Sequence, residues 1–414
     1  LYFLSGFSFN PIGVALSGSI YPLQTASIFG IYGLSFLILL TNLLVVRALI
    51  VRKNLWAWSL AVAFALFPYL FGIAHYTYHD EKSHAQGVNT LRTLLVQTAF
   101  PIEEIIPFQS WQSYVRYTEE EWGGIFSVLA PFKDKGIELI ALPEYVVPFG
   151  TYMAVFSYER ILQDLQRLFG KEVVAVLPPV KEPLALEVEG KWQVTNAFIC
   201  QALSNIFKAD LVAGLQDDQW ISSEEQKSYS SGFYFWPGGA LGLRYEKQIL
   251  LPMAEYIPLD FLRKMAAEYG ISGSFTCGSG AKVFPGSRLP FGLSICYEET
   301  YGHLMRENRL KGAELLVNLT SDVWYPDSRL PKQHFDHARL RTVESGIPLI
   351  RACNTGITSA IDSLGRIVAQ GKEEQEWERF ALMANVPLYH YKTLYSIWGD
   401  YFIIAICLLS LLFL

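Results

Sequence analysis

Hydrophobic and polar positions divide this chain into two kinds of territory. Ile31 to Ile50 is apolar almost throughout, interrupted mainly by Thr41, Asn42 and Arg47, and Leu55 to Tyr76 is a second such run with Pro68 inside it. At ~1.5 Å per residue, runs of this length reach about 30 Å, the thickness of a hydrocarbon core. They predict two membrane spans near 31–50 and 55–76, with a pair of buried soluble helices as the alternative. Two spans in succession without a small-residue cleavage site argue against a signal peptide. A third apolar run, Tyr401 to Leu414, is expected to return through the membrane. Residues 1–30 mix apolar positions with Gly, Pro and Ser, which fits either the membrane interface or a re-entrant loop.

Between these regions the pattern changes. Short apolar runs recur at Leu91–Gln97, Ile137–Leu142, Val173–Leu177, Gln193–Cys200, Leu211–Gly214, Phe291–Ile295, Leu315–Leu319 and Leu349–Ala352. They read as strands, alternating with helical patterns at Tyr152–Phe169 and Glu299–Lys311. Such alternation predicts an α/β domain of layered sheet and helix. Pro237-Gly238-Gly239 signals a hairpin turn; without a following Gly-Lys-Ser/Thr it is no phosphate loop. The organisation expected is a membrane region over 1–87, an α/β domain over 88–390 and a C-terminal transmembrane helix over 391–414.

Charge orients this arrangement. Arg47, Arg52 and Lys53 cluster between the first two spans, and positive residues collect on the cytoplasmic side. The first span then runs inward and the second outward, leaving His79 to Asp400 outside the cytoplasm. Charged residues make up 17% of the chain and hydrophobic ones 51%, against about 25% charged in soluble domains; the apolar excess sits in the predicted spans. A net charge of −6 gives no reason to expect nucleic-acid binding. Leu rather than Met stands first, and the chain stops inside an apolar run, so a fragment of a longer protein is expected.

Three strand-like runs end at groups that can do acyl chemistry. Ile137-Glu-Leu-Ile-Ala-Leu-Pro-Glu144 places a carboxylate at the rim of a buried strand. Burial raises a carboxyl pKa and a nearby ammonium lowers it, so Glu144 can accept a proton near neutral pH. Lys247 follows Leu243-Arg-Tyr-Glu and could stabilise a thiolate or an oxyanion; a solvated surface lysine is the ordinary alternative. Glu255 either orients Lys247 or caps the following segment. Cys296 ends the run Phe291–Ile295 and opens a helical pattern, where unpaired N–H groups and cations would lower its pKa. The backbone N–H of Tyr297 would face a developing oxyanion. Five cysteines cannot all pair within the chain. Cys200, Cys277, Cys353 and Cys407 fit plain packing or loop positions, which leaves Cys296 as the candidate nucleophile. His334 and His337, three apart on a predicted helix, could suggest a metal pair, but no third ligand is evident and no metal is expected. Phe261 to Gly280 reads either as a mobile lid or as a solvated insertion.

In this order the motifs resemble the carbon–nitrogen hydrolase (nitrilase) superfamily and, within it, the bacterial apolipoprotein N-acyltransferase family. The matching stretches are Leu142-Pro-Glu144, Tyr245-Glu-Lys247, Leu251-Pro-Met-Ala-Glu255-Tyr-Ile-Pro258, Ser294-Ile-Cys296-Tyr-Glu298 and Asn318-Leu-Thr-Ser-Asp322-Val-Trp324. Gln333-His-Phe-Asp-His-Ala-Arg339-Leu-Arg341 and Arg351-Ala-Cys-Asn-Thr-Gly-Ile-Thr358 continue the match over nearly the whole chain. The resemblance implies a nitrilase-like αββα sandwich inserted between transmembrane helices. It assigns Glu144 as general base, Lys247 as oxyanion cation and Cys296 as nucleophile. Glu255 and Glu298 match supporting glutamates, Tyr297 an oxyanion-hole donor and Trp324 a cleft tryptophan. Departures fall at Pro252-Met-Ala-Glu255, where the family has Pro-Phe-Gly-Glu, at Ser321 in place of Asn, and at Gly6-Phe-Ser-Phe-Asn-Pro11 in place of Gly-Phe-Pro-Trp. They bear on lipid entry and donor preference, not on the three central residues. Family members carry further N-terminal spans, in line with the fragment expectation.

The implied reaction is a ping-pong transfer without cofactor at the bacterial inner membrane, on its periplasmic side. Cys296 takes an acyl chain from the sn-1 position of a membrane phospholipid as a thioester. The α-amino group of an apolipoprotein's diacylglyceryl-cysteine then accepts it. The same three central residues would also serve a membrane-tethered amidase or nitrilase, with water as acceptor. A lipoprotein-binding scaffold is the non-enzymatic alternative.

Overall fold

The two apolar runs form helices that extend beyond them. The computed structural model describes residues 9–51, 54–85, 87, 89–101, 110–220, 226–252, 254–257, 275–324 and 328–411. A short helix α1 (Ile20–Leu23) leads into α2 (Ala26–Val51) and α3 (Leu55–Ala85). α2 and α3 are long and apolar enough to cross a membrane, with windows of mean hydropathy 2.4 and 1.8. Their apolar side chains largely face outward: Leu43 is 67% exposed, Ile50 76% and Trp56 85%. That is the reverse of a soluble core helix and suits contact with lipid. The polar continuation of α3 past Tyr76 packs against the rest of the protein, with His79 Nδ1 2.7 Å from the Tyr389 hydroxyl and Asp80 paired with Arg366. Arg52 and Lys53, the positive residues between the spans, lie outside the described residues, as do residues 261–274 of the expected lid.

α2 is broken at Gly30, whose φ of 62° suits only a residue without Cβ; the Tyr395 ring fills the space a Cβ would need. The freed N–H of Ile31 donates to Glu344 Oε1 at 2.8 Å. A carboxylate from the α/β domain thus completes the hydrogen bonding of the broken helix.

Among the described residues the remaining α-helices are α4 (Trp111–Leu129), α5 (Tyr158–Phe169), α6 (Asn196–Phe207), α7 (Gly302–Leu310), α8 (Leu330–Ser345), α9 (Leu394–Trp398) and α10 (Tyr401–Leu411). The strands, in chain order, are β1 (Thr90–Gln97), β2 (Leu139–Ala141), β3 (Phe156–Ser157), β4 (Ala185–Val188), β5 (Lys191–Val194), β6 (Asp210–Trp220), β7 (Gln226–Phe235) and β8 (Leu243–Glu246). They continue with β9 (Val283–Phe284), β10 (Phe291–Ile295), β11 (Leu315–Thr320), β12 (Leu349–Cys353), β13 (Ser359–Ile361), β14 (Ile367–Gln370) and β15 (Phe380–Pro387). Two six-stranded sheets have the orders β15-β1-β2-β6-β7-β8 and β14-β13-β12-β11-β10-β9; β3, β5 and β4 form a small third sheet.

Side chains alternating along each strand bury both faces of the two large sheets. Leu91 and Leu95 of β1 pack with Val212, Tyr245, Leu293, Ile295, Val317 and Leu319 in the core between them. Leu94 and Val96 face the other way, onto Trp122 and Phe126 of α4 and the residues of α6. On the far side of the second sheet, Leu316 and Leu349 meet Leu304 and Met305 of α7 and Phe335 and Ala338 of α8. The result is the expected nitrilase-like α/β architecture of two packed sheets with helices outside. β1, β2 and β6 are mutually parallel, as are β10, β11 and β12, so their carboxyl ends gather where α/β folds place ligands.

Two predicted strands are corrected. Lys171–Val176 is a 3-10 helix; only Val173 of it is buried, and one inward residue satisfies a turn but not a strand. The run Gln193–Cys200 is strand only to Val194. Thr195 then caps α6, its hydroxyl accepting from Phe198 N at 3.1 Å. α6 is buried nearly all round, so its sequence lacks the polar face that marks a surface helix. The described part of the C-terminal apolar run is α10, 11 residues long, which at ~1.5 Å per residue is about half the hydrocarbon thickness.

Candidate active site

Three loops at the strand ends bring Glu144, Lys247 and Cys296 together. Glu144 follows β2 by way of Leu142-Pro143, and this loop lies directly against β6. A Cβ at Gly214 would sit 2.5 Å from the Glu144 Cα, so only glycine permits the approach. Backbone bonds Leu142 N to Val212 O (2.8 Å), Gly214 N to Pro143 O (3.0 Å) and Val146 N to Gly214 O (3.0 Å) hold it there. Lys247 follows β8, and its N–H donates to Ser230 O on β7 at 2.9 Å. Cys296 follows β10 and opens a five-residue 3-10 turn, Cys296–Thr300. Its φ is 55°, in the left-handed region that a residue with Cβ rarely adopts. The turn lifts the thiol out of the sheet.

Lys247 is the hub. Its Nζ donates to Glu144 Oε1 at 2.9 Å and to Glu255 Oε1 at 2.6 Å, and it lies 5.8 Å from the centre of the Tyr297 ring. The side chain is 1% exposed, which rules out the solvated surface lysine. Glu255 contacts Lys247 through one oxygen and accepts from the upstream Leu251 N at 2.7 Å through the other; the segment it would otherwise cap lies, from residue 258 on, outside the described residues. Glu298 does not touch the lysine. Fully buried, its Oε2 accepts from Ile295 N (2.7 Å) and the Tyr245 hydroxyl (2.9 Å), and its Oε1 from Gln248 N (2.6 Å) and Ile249 N (3.1 Å). It braces the cysteine turn against the lysine loop. The Tyr297 hydroxyl adds a second tie, donating to Leu250 O at 2.7 Å.

The electrostatics differ from the expectation at one point. Burial pushes the Glu144 carboxyl up, Lys247 pulls it down and Glu255 pushes it up again, with a net rise and a hydrogen bond to Cys296. Burial disfavours the charged form of Lys247, but Glu144, Glu255 and Cys296 outweigh it and hold the ammonium well above the ordinary lysine value. The Cys296 thiol was expected to be lowered by its helical position. Burial and the Glu144 carboxylate instead drive it well above the ordinary value, with Lys247 only partly opposing them. A short 3-10 turn supplies too little dipole to win against a buried carboxylate. A resting thiol beside a carboxylate therefore needs general-base removal of its proton rather than standing as a free thiolate.

These groups line a cavity of about 360 Å³. Its walls are mainly apolar, from Phe100, Leu215, Leu251, Phe275, Val323 and Trp324. Trp324 lines the same cavity and is 52% exposed. His334 and His337 do not converge: His334 Nδ1 is 2.8 Å from Asp322 Oδ1, whereas His337 Nε2 is 3.0 Å from Phe9 O. The motif reading missed the buried group behind Cys296, made of Glu299, Asp322, His334 and Arg351. Asp322, His334 and Arg351 stand in the matched motifs and Glu299 directly follows one, but spacing alone does not join four elements at one point.

Residues 106–388 match the family model described as carbon–nitrogen hydrolase. The apolipoprotein N-acyltransferase of Chlamydia pneumoniae is 35% identical over 422 residues, covering 99% of this chain and 72% of that protein. The apolipoprotein N-acyltransferase of Chlamydia caviae is 32% identical over 423 residues, with 99% and 72% covered. A crystal structure of a carbon–nitrogen hydrolase from Helicobacter pylori G27 aligns over 76% of this chain and 94% of that one, at 16% identity and a TM-score of 0.48.

Proposed function

This chain belongs to the carbon–nitrogen hydrolase family and, within it, to the apolipoprotein N-acyltransferases, and we propose that it performs that transfer through a thioester on Cys296. Glu144 takes the thiol proton as Sγ attacks the ester carbonyl of a membrane phospholipid. The carbonyl oxygen gains charge beside the Lys247 ammonium and the Tyr297 N–H. Collapse of the tetrahedral intermediate breaks the ester C–O bond, and Glu144 returns its proton to the departing lysophospholipid oxygen. In the second half the α-amino group of a diacylglyceryl-cysteine attacks the thioester. Glu144 accepts a proton from that amine, the amide forms, and Cys296 leaves as the thiol after reprotonation. Glu255 keeps Lys247 directed at the site, and Glu298 keeps the two loops in register.

The observation that carries this reading is the junction of Glu144, Lys247 and Cys296 with an apolar cavity, in a chain that also bears two outward-apolar helices. An acyl chain suits such walls, with Trp324 at the entrance. In the full arrangement, the spans near residues 31–50 and 55–76 and the C-terminal apolar run cross the bacterial inner membrane, and residues 88–390 form a sandwich inserted between them on the periplasmic side. Positive charge at Arg47, Arg52 and Lys53 supports that orientation.

The test is incubation of the purified full chain with a phospholipid labelled in its acyl chain. A hydroxylamine-sensitive label is expected on Cys296, and it passes to a diacylglyceryl-cysteine peptide on addition. An unlabelled protein that turns over small amides would instead be a tethered amidase, and the acyltransfer reading would be abandoned.

A further inference from the structure

The peptide between Cys296 and Tyr297 is gripped from behind. Its carbonyl oxygen accepts from Asn318 Nδ2 at 3.0 Å, and His334 Nε2 lies 3.2 Å from the same oxygen. Asn318 is itself held, its Nδ2 also reaching Ser294 Oγ at 3.0 Å. Around His334, Nδ1 lies between Asp322 Oδ1 at 2.8 Å and Arg351 Nη2 at 2.7 Å. It can give a proton to the carboxylate or take a hydrogen bond from the guanidinium. Nε2 faces the Cys296 carbonyl, which can only accept, with Glu299 Oε1 3.0 Å away as an ion-pair neighbour, and so carries a proton in either case. Arg351 ties the far side, with Nε 3.1 Å from Glu299 Oε1 and Nη2 3.3 Å from Asp322 Oδ2. All four charged or titratable groups are essentially without solvent contact, so the ring cannot turn away without leaving buried charge unpaired.

In a planar trans peptide the C=O and the N–H point in opposite directions. Fixing the carbonyl toward His334 and Asn318 therefore fixes the Tyr297 N–H toward the opposite side, where Cys296 faces the cavity. Two donors on a carbonyl also polarise the peptide and strengthen its N–H as a donor. The left-handed φ of Cys296 is a conformation that persists only where surroundings over-determine it, and this clamp supplies that constraint.

We propose that His334 and Asn318 are positioning residues for the oxyanion site, aiming the Tyr297 N–H at the oxygen of the tetrahedral intermediate through the Cys296 carbonyl. The inference rests on Cys296 being the nucleophile. Neither residue touches the substrate; each acts through one peptide group.

Two reactions of the same thiol test it. Acylation by labelled phospholipid passes through an oxyanion. Alkylation by iodoacetamide forms a C–S bond, expels iodide and needs no oxyanion. In His334→Leu and Asn318→Leu the maximal rate of single-turnover acylation is expected to fall roughly 10- to 100-fold, short of the roughly 10²–10³ for deleting an oxyanion donor. The half-saturating lipid concentration is expected to stay unchanged. Iodoacetamide labelling should remain within about two-fold of wild type, since it follows thiol ionisation and access. His334→Gln, which can present an amide N–H to the same carbonyl, is expected to recover most of the rate. Asn318→Ser carries the same expectation as Asn318→Leu and guards against a variant that does not fold. Wild-type acylation rates in the Leu variants, or alkylation falling in step with acylation, would overturn the proposal. A wild-type protein that takes no hydroxylamine-sensitive label is a different failure: it removes Cys296 as nucleophile, and the clamp's role with it.

Discussion

Two charged clusters lie on opposite sides of Cys296, and they differ in what water can reach. In front, Glu144 and Glu255 flank Lys247, with the carboxylate side chains 12% and 14% exposed at the edge of a cavity. Behind, Glu299 and Asp322 flank Arg351 and His334, with side chains no more than 2% exposed. Both pair two carboxylates with cations in a setting where an unpaired charge is costly. The front cluster can exchange protons and stabilise charge that develops in the cavity. The rear cluster is sealed and can only fix geometry. Solvent access, more than residue type, separates chemistry from positioning here.

Substitutions that treat the two clusters alike should separate them. The largest effect is expected in front, from Cys296→Ala, with complete loss of the hydroxylamine-sensitive acyl label and an unchanged thermal melt in detergent. Glu144→Gln keeps the shape but removes the base, and single-turnover acylation should fall by roughly 10²–10⁴-fold. Removing the cation from each cluster is the direct comparison. Lys247→Met should slow acylation by roughly 10²–10³-fold through loss of oxyanion stabilisation. Arg351→Met should lower stability by about 3–5 kcal/mol, read by denaturant or thermal unfolding, because two buried carboxylates lose their partner. If Arg351→Met cost no stability, or Lys247→Met left acylation intact, the contrast drawn above would be lost.

The smallest expected effect is a shift in pH dependence. In the proposed mechanism Glu144 acts as a base only when ionised, and its carboxyl is held up by burial and by the neighbouring Glu255 charge. A raised carboxyl loses its base form at a higher pH than an ordinary one, so acylation should fall off on the acid side above the usual carboxylate range. Glu255→Gln removes one of the forces raising Glu144, and the acid limb of the pH–rate profile should move to lower pH. A shift to higher pH would show that Glu255 acts on Glu144 chiefly through the placement of Lys247.

Much of this was legible in the chain. The strands ending at Glu144, Lys247 and Cys296 are short apolar runs cut off by a polar residue, and side-chain alternation in β1 and β6 follows from burial on both sheet faces. The two long apolar helices were legible because apolar length is a one-dimensional property. What escaped were features that depend on neighbours distant in sequence. Val173–Leu177 resembles a strand by composition but has no partner strand. The direction of the Cys296 shift depends on burial beside Glu144, which no local pattern reveals. Gly30 could not be read as a break in α2 without Glu344 and Tyr395 standing opposite it.

By itself, then, the sequence determined the candidate groups, their order and the alternation of apolar and polar segments, since each is carried by residues adjacent along the chain. The tertiary structure alone decided which charges face the cavity and which are sealed behind Cys296. It also decided that His334 Nε2 lies against the Cys296 carbonyl while His337 Nε2 turns to Phe9 O. Burial and hydrogen-bond direction belong to surfaces brought together by folding, and four side chains from Glu299, Asp322, His334 and Arg351 become one cluster only when a turn, a loop, a helix and a strand meet.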